Sequence, residues 1–254
     1  YIHQGFGATK INKLRLSDNT KINLEEVREW NVISKNVYFP YNEEKQVFLQ
    51  QDGFLDKQLL PVSSLDSSER PINQNWSWDR ILRSPYIKQA DVLQGFYFFE
   101  NHFDLETLKR NYNFYEPLTV HESSLSPCVH SILASRLGKE DQAYEFYLRT
   151  ARLDLDDYNT EIEEGLHITS MAGTWMSIVE GFAGMRIQND QLCFRPRLPK
   201  AWNEIEFRIN FRNVILSVTI TQKNISFSTN SNASLSLFVY DKEIQIKGET
   251  SVAL

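Results

Sequence analysis

The sequence predicts an α + β protein, with a helical portion over residues 1–185 and a small β-sandwich over residues 186–254. Two observations carry this. Apolar residues recur at helical spacing before about residue 186 and alternate one-in-two after it. Helix start and stop signals are confined to the first part, and turn-forming pairs separate the apolar runs of the second. Taken in order, residues 31–85 are interrupted by Pro40, Pro61, Pro71 and Pro85 and read as loops with short helices. Helices are expected around 88–102 and 105–114. Ser126-Pro127 then opens another, with Ser126 as N-cap and the proline in the first turn. Its apolar positions Val129, Ile132, Leu133 and Leu137 keep a 3.6-residue period, and Gly138 ends it. A helix over 140–152 presents Tyr144, Tyr147 and Leu148 on one face, and a last one covers 171–185. The short links imply antiparallel neighbours, as in a bundle or an α/α barrel. From Ile205 the pattern has period two: Ile205, Phe207, Ile209, Phe211, then Val214, Leu216, Val218, Ile220, then Ile225 and Phe227, Leu235, Leu237 and Val239, and Ile244 and Ile246. Asn189-Asp190 and Asn230-Ser231-Asn232 supply turns. Six or so strands with one apolar face each are expected to pair as antiparallel sheets packed face to face.

Composition narrows the function. With 27 basic and 33 acidic side chains the formal charge is −6, and no Lys/Arg run offers a nucleic-acid footprint. No apolar stretch approaches the ~18–20 residues that span a bilayer, so neither a membrane nor a nucleic acid is expected as partner. Sixteen Phe, 11 Tyr and 5 Trp fit sugar stacking and a large core equally well. Cys128 and Cys193 form no CxxC or Cys/His ligand pattern, so no metal site is expected and both are read as buried free thiols of a cytoplasmic protein. The chain begins at Tyr1-Ile2-His3 with neither an initiator Met nor a secretory signal, and it is expected to be the C-terminal piece of a longer protein.

Three polar islands abut apolar helical segments: Lys88-Gln89-Ala90-Asp91, His121-Glu122-Ser123-Ser124-Leu125-Ser126, and Glu164-Gly165-Leu166-His167-Ile168-Thr169-Ser170-Met171-Ala172-Gly173. The first turn of a helix presents unpaired N–H groups and a partial positive charge, which favour phosphate or carboxylate. Small residues such as Ser170, Ala172 and Gly173 allow close approach, hydroxyls of Ser123, Ser124 and Ser170 can donate, and His167 and Lys88 can supply charge. Against this, a serine before a helix is more often a cap than a ligand contact. His3, His102 and His130 are given no role, Trp76 and Trp78 fit packing as well as sugar stacking, and the acidic run from Asp154 to Glu164 reads as a solvated loop. The residues alone define an anion site and leave the reaction open.

The three islands, with Leu153-Asp154-Leu155-Asp156-Asp157 and Gln51-Asp52-Gly53-Phe54, resemble consecutive signature blocks of the inverting disaccharide phosphorylases of glycoside hydrolase family sixty-five. The resemblance runs from about residue 35 to the C-terminus and is greatest to members acting on maltose. It implies the second half of an (α/α)6 barrel followed by a jelly-roll-like β domain. It further implies that Lys88 and Gln89 contact the glucosyl residue, and that Ser123, Ser124, His167, Ser170 and Gly173 line a phosphate pocket. Inorganic phosphate is then a substrate, no cofactor is required, and a homodimer is expected. Phosphate would attack the anomeric carbon from the face opposite the leaving sugar while a glutamic acid protonates the departing oxygen. In the family that acid lies in a Gly-Pro-Asp-Glu-Tyr block which this sequence lacks, so the chain is expected to carry no catalytic residue and to need the N-terminal half of its own enzyme as partner. Glu122, Glu161 and Glu164 have nothing to recommend them as substitutes. A hydrolase of the same fold, trehalase-like, and a non-catalytic carbohydrate-binding or structural module are the alternatives.

Overall fold

The computed structural model describes residues 23–158, 160, 162–230 and 234–254; His3, Glu161 and the Ser231-Asn232 turn lie outside them. The chain divides at Pro40 into two compact units. In the first, helix α1 (Leu24–Asn36) runs into the stretch read as mostly loop. It is set by a capping box: the Asn23 side chain accepts from the backbone of Glu25 and Glu26, and Glu26 accepts from the Asn23 N–H.

The second unit, Tyr41–Leu254, contains both helices and sheets. A hairpin of β1 (Tyr41–Asn42) and β2 (Val47–Phe48) precedes helices α2 (Ile72–Asn75), α3 (Trp78–Arg83), α4 (Asp91–Phe98) and α5 (Leu105–Tyr115). Then come α6 (Ser126–Arg136), α7 (Glu140–Ala151), the one-turn α8 (Leu153–Asp156) and α9 (Ile168–Met176), which continues as π-helix over Ser177–Phe182. Helix α4 starts three residues later than expected because Ile87 is held extended in a parallel bridge with Thr119: its N–H donates to Leu118 and its carbonyl accepts from Val120.

Helix α6 is the centre of this portion, with every residue from Ser126 to Ser135 buried. A helix buried on all sides cannot leave its hydroxyls unpaired. Ser131 donates to the Ala143 carbonyl of α7 and Ser135 to the Gly181 carbonyl, 2.8 Å each. Gly138, at φ +73°, ends the helix as expected, with the Lys139 N–H returning to the Ala134 carbonyl. Ser126, however, is the first residue inside the helix and not its cap; Leu125 occupies the cap, and the Ser126 hydroxyl pairs with His121 Nδ1 at 2.9 Å.

The strands are β3 (Arg186–Gln188), β4 (Gln191–Phe194), β5 (Glu204–Phe211), β6 (Val214–Thr221), β7 (Asn224–Thr229), β8 (Leu235–Val239), β9 (Lys242–Ile246) and β10 (Glu249–Ala253). They form two four-stranded sheets, ordered β10-β7-β6-β5 and β3-β4-β8-β9. Pairing is antiparallel except for β4 and β8, which run parallel with Leu192 opposite Leu237. That one departure arises because the chain crosses to the other sheet for β5–β7 before returning beside β4. Asn189 and Asp190 both take positive φ, which gives the β3–β4 turn the right-handed twist of its strands. Alternating side chains of both sheets meet in one core, where Phe194 and Phe227 lie 5.2 Å apart.

The π-helix ties the two portions together. Phe182 belongs to the helical core, whereas Val179 and Ala183 sit in the core of the sheets. Glu100 clamps the joint by pairing with Arg136 of α6 and Arg186 of β3. Gly184, at φ +60°, turns the chain here, and a Cβ on it would meet the backbone of Arg195. Gly184→Ala combines an unfavourable backbone conformation with overpacking, about 1–3 kcal/mol from the latter alone. The full-length protein should lose at least ~2 kcal/mol in unfolding stability; a thermal melt that coincides with the wild type would contradict this view of the joint.

Candidate functional site

The Ile87–Thr119 bridge brings the first two islands side by side. Residues 88–89 and 121–123 each follow a bridge strand, and Ser123 Oγ donates to Gln89 Oε1 at 3.1 Å. The second island reaches the third through Ser124 Oγ and Thr169 Oγ1, 2.9 Å apart. Side chains separated by 34 and 45 positions are thus joined in one row at the N-terminal end of α9.

The middle loop is held from beneath. Glu122 is 1% exposed; its Oε1 accepts from Arg70 Nε at 3.1 Å and its Oε2 from the Ile72 N–H at 2.7 Å. Arg70 also donates to the Val120 carbonyl at 2.6 Å. Both carboxylate oxygens are therefore engaged, which makes Glu122 an anchor of the loop. Glu164 is exposed on a turn before α9. His121 takes a left-handed conformation, φ +55°, and its carbonyl accepts from Arg149 at 3.0 Å. Its ring stands 4.4 Å from that of His130, with Phe146 against both.

His167 caps α9 without a side-chain bond to the helix. Its backbone N–H donates to Asp154 Oδ2 at 3.0 Å and its Nδ1 faces Asp154 Oδ1 at 2.5 Å. These contacts hold the Asp154 carboxyl below the usual carboxylate range. Ser170 and Gly173 are arranged differently from the direct anion contacts expected of them. Ser170 is buried and donates to the Thr150 carbonyl at 2.7 Å. A Cβ on Gly173 would lie 2.8 Å from that of Cys128, so the glycine sets the close approach of α9 to α6. Lys88 is exposed. The structure thus joins Gln89, Ser123 and Ser124, holds His167 by its aspartate, and turns Ser170 and Gly173 to the interior. Sequence reasoning missed the roles of Thr169 and Asp154, although both lay in quoted blocks, and missed Arg70 and Arg149, whose partners are distant in the chain. Among the described residues no group of three or more His, Cys, Asp or Glu is arranged to hold a metal ion.

Residues 6–176 match the glycosyl hydrolase family 65 central catalytic domain, and residues 185–246 match the glycosyl hydrolase family 65 C-terminal domain. The chain belongs to glycosyl hydrolase family 65. It is 51% identical to a maltose phosphorylase of Bacillus subtilis strain 168, over 98% of this chain and 32% of that protein. It is 40% identical to an α,α-trehalose phosphorylase of Thermoanaerobacter brockii, over 91% of this chain and 30% of that protein. A solved structure named as a candidate kojibiose phosphorylase from the human microbiome superposes with a TM-score of 0.85 at 38% identity, covering 94% of this chain and 36% of that one. The α + β architecture is therefore that of a family structure, and the chain spans about a third of the length of these relatives.

Burial lowers the pKa of His130 to about 4 and that of His121 well below its usual value, the latter also through His130 and Arg149. Above pH ~6.5 both are neutral in folded and unfolded chains. As pH falls from there towards 4, the unfolded chain takes up protons that the folded one refuses, so stability falls. His130 alone should remove about 2 kcal/mol between pH 7 and 5, at 1.36 kcal/mol per unit. Unfolding of the full-length protein across pH 5–7.5 should therefore show a shallower slope for His130→Gln than for wild type; parallel curves would remove this histidine from the acid response.

Proposed function

We propose that the full-length protein carrying this chain is an inverting disaccharide phosphorylase, converting an α-linked glucose disaccharide, maltose, and inorganic phosphate to β-glucose 1-phosphate and glucose. The observation that supports it most is the joined row of Gln89, Ser123, Ser124 and Thr169 beside His167 at the start of α9. We assign Lys88 and Gln89 to the glucosyl residue, and Ser123, Ser124 and His167 to phosphate. Ser170 and Gly173 serve the same pocket from behind, by fixing where α9 begins. A phosphate oxygen bonds to the anomeric carbon as the glycosidic C–O bond breaks, and the configuration inverts from α to β. Phosphate is itself an anionic nucleophile, so that face requires donors and not a carboxylate base.

The proton for the departing oxygen comes, on this reading, from sequence outside the chain, which spans 32% of the Bacillus subtilis relative. Residues 1–185 are then the second half of the barrel and 186–254 the C-terminal β domain. Trp78 and Leu82 on α3, and Leu166 and Ile168 at the start of α9, are each at least 67% exposed, which fits helices whose barrel partners lie outside this chain. Cys128 and Cys193 are both free, in keeping with a cytoplasmic protein. The homodimer rests on the family resemblance.

Turnover of maltose should require inorganic phosphate; rapid release of two glucoses in phosphate-free buffer would overturn the reading in favour of a hydrolase. A hydrogen bond to a charged partner contributes ~1.5–3 kcal/mol, or roughly ten- to a hundredfold in binding. His167→Ala should raise the KM for phosphate by about that factor and leave the KM for disaccharide near wild type, and Gln89→Ala should do the reverse. If His167→Ala lowers only the melting temperature, the residue merely packs its helix.

A further inference from the structure

Within the acidic stretch read as a solvated loop, two aspartates two residues apart have different partners. Asp156 pairs with Arg152 on its own helix turn and accepts from the Tyr158 hydroxyl at 2.8 Å. Asp154 instead reaches across the chain to His167, engaging its backbone N–H and its ring Nδ1 with separate oxygens. The paired side chains are only 16% and 18% exposed. Local chain geometry is arranged to make this contact. Leu153 is buried and anchors α8, Asp157 closes the turn in a left-handed conformation, and its Oδ1 accepts from the Ile162 N–H at 3.1 Å. Gly165, at φ +93°, then turns the chain back so that His167 arrives beside Asp154.

A carboxylate that binds one imidazole nitrogen fixes the ring's orientation and tautomer. With Nδ1 directed at Asp154, the nitrogen on the opposite side of the ring is Nε2. We infer that Asp154 is a positioning residue for phosphate: by gripping His167 at two points, it fixes the imidazole so that Nε2 is presented to the phosphate anion. This rests on the proposed function above and adds to it a residue that does not itself touch substrate.

The test uses the full-length protein with inorganic phosphate as probe, in kinetics and in direct calorimetric titration. Asp154→Asn keeps the side chain's size and an acceptor for the His167 N–H but removes the charge, and Asp154→Ala removes both contacts. Asp154→Asn should raise the KM and Kd for phosphate about tenfold, Asp154→Ala more, with the KM for disaccharide within about twofold of wild type. Asp156→Asn, in the same loop but bound to Arg152, should leave both constants unchanged. Unaltered phosphate constants in Asp154→Asn, when His167→Ala does raise them, would overturn the inference and leave the site assignment standing. If His167→Ala also leaves them unaltered, the site assignment itself falls. A parallel rise in both substrates' constants, with a lowered melting temperature, would also overturn the inference, because it marks collapse of the loop.

Discussion

The burial of α6 on all sides is the constraint on which the rest of the structure depends. A helix with no solvent-facing side must find protein partners for each of its polar groups, since an unpaired buried donor or acceptor costs about 1–3 kcal/mol. Its hydroxyls solve this outward: Ser131 to α7, Ser135 to the π-helix, Ser126 back to His121. Each bond fixes a neighbour relative to one rod. The loop before α6 carries Ser123 and Ser124, so its position is set by the same packing. On the α9 side, Gly173 against Cys128 brings the backbone close, and Ser170 bonds α9 to the end of α7. The residues assigned to phosphate thus stand on two helices whose separation is held by small side chains and buried hydrogen bonds.

That solution is incomplete beside the site. Among the described residues, His121 Nε2, His130 Nε2 and the Tyr112 hydroxyl are buried without a hydrogen-bond partner, and His121 also adopts a left-handed backbone. Such conformations persist where the surroundings over-determine them. Here the over-determination is visible: Glu122 is gripped by Arg70 and Ile72, and the His121 carbonyl by Arg149. The loop is forced into a shape it would not choose, and that shape puts Ser123 beside Gln89 and Ser124 beside Thr169.

The elements legible in the sequence were those written in local periodicity. Alternation from Ile205 to Ile246 gave strands whose inward residues Phe207, Leu216, Val218, Ile220 and Phe227 are buried, and Gly138 ended α6 where its αL preference required. Local pattern could not show that β4 and β8 run parallel, because that follows from a crossover between sheets. Nor could it show that Ser126 serves His121 instead of capping its helix, since Leu125 holds a helical conformation at the cap. For the site, the islands were visible as polar runs abutting apolar helices, but their joining was not. Arg70 acts on Glu122 across 52 positions and Asp154 on His167 across 13, and neither spacing belongs to a helix or strand.

The same distinction bears on the division of chemistry proposed between this chain and the rest of its protein. A phosphate pocket needs donors held at fixed separations, which rigid helix ends and an anchored loop provide. Protonation of the leaving oxygen needs an acid on the opposite side of the sugar ring, because inversion requires attack and departure on opposite faces. Gln89, Ser123, Ser124 and Thr169 are joined by hydrogen bonds beside His167, so these groups form one row. On the proposed function the acid would stand opposite these donors, so a chain that spans about a third of its relatives could carry the nucleophile's side alone.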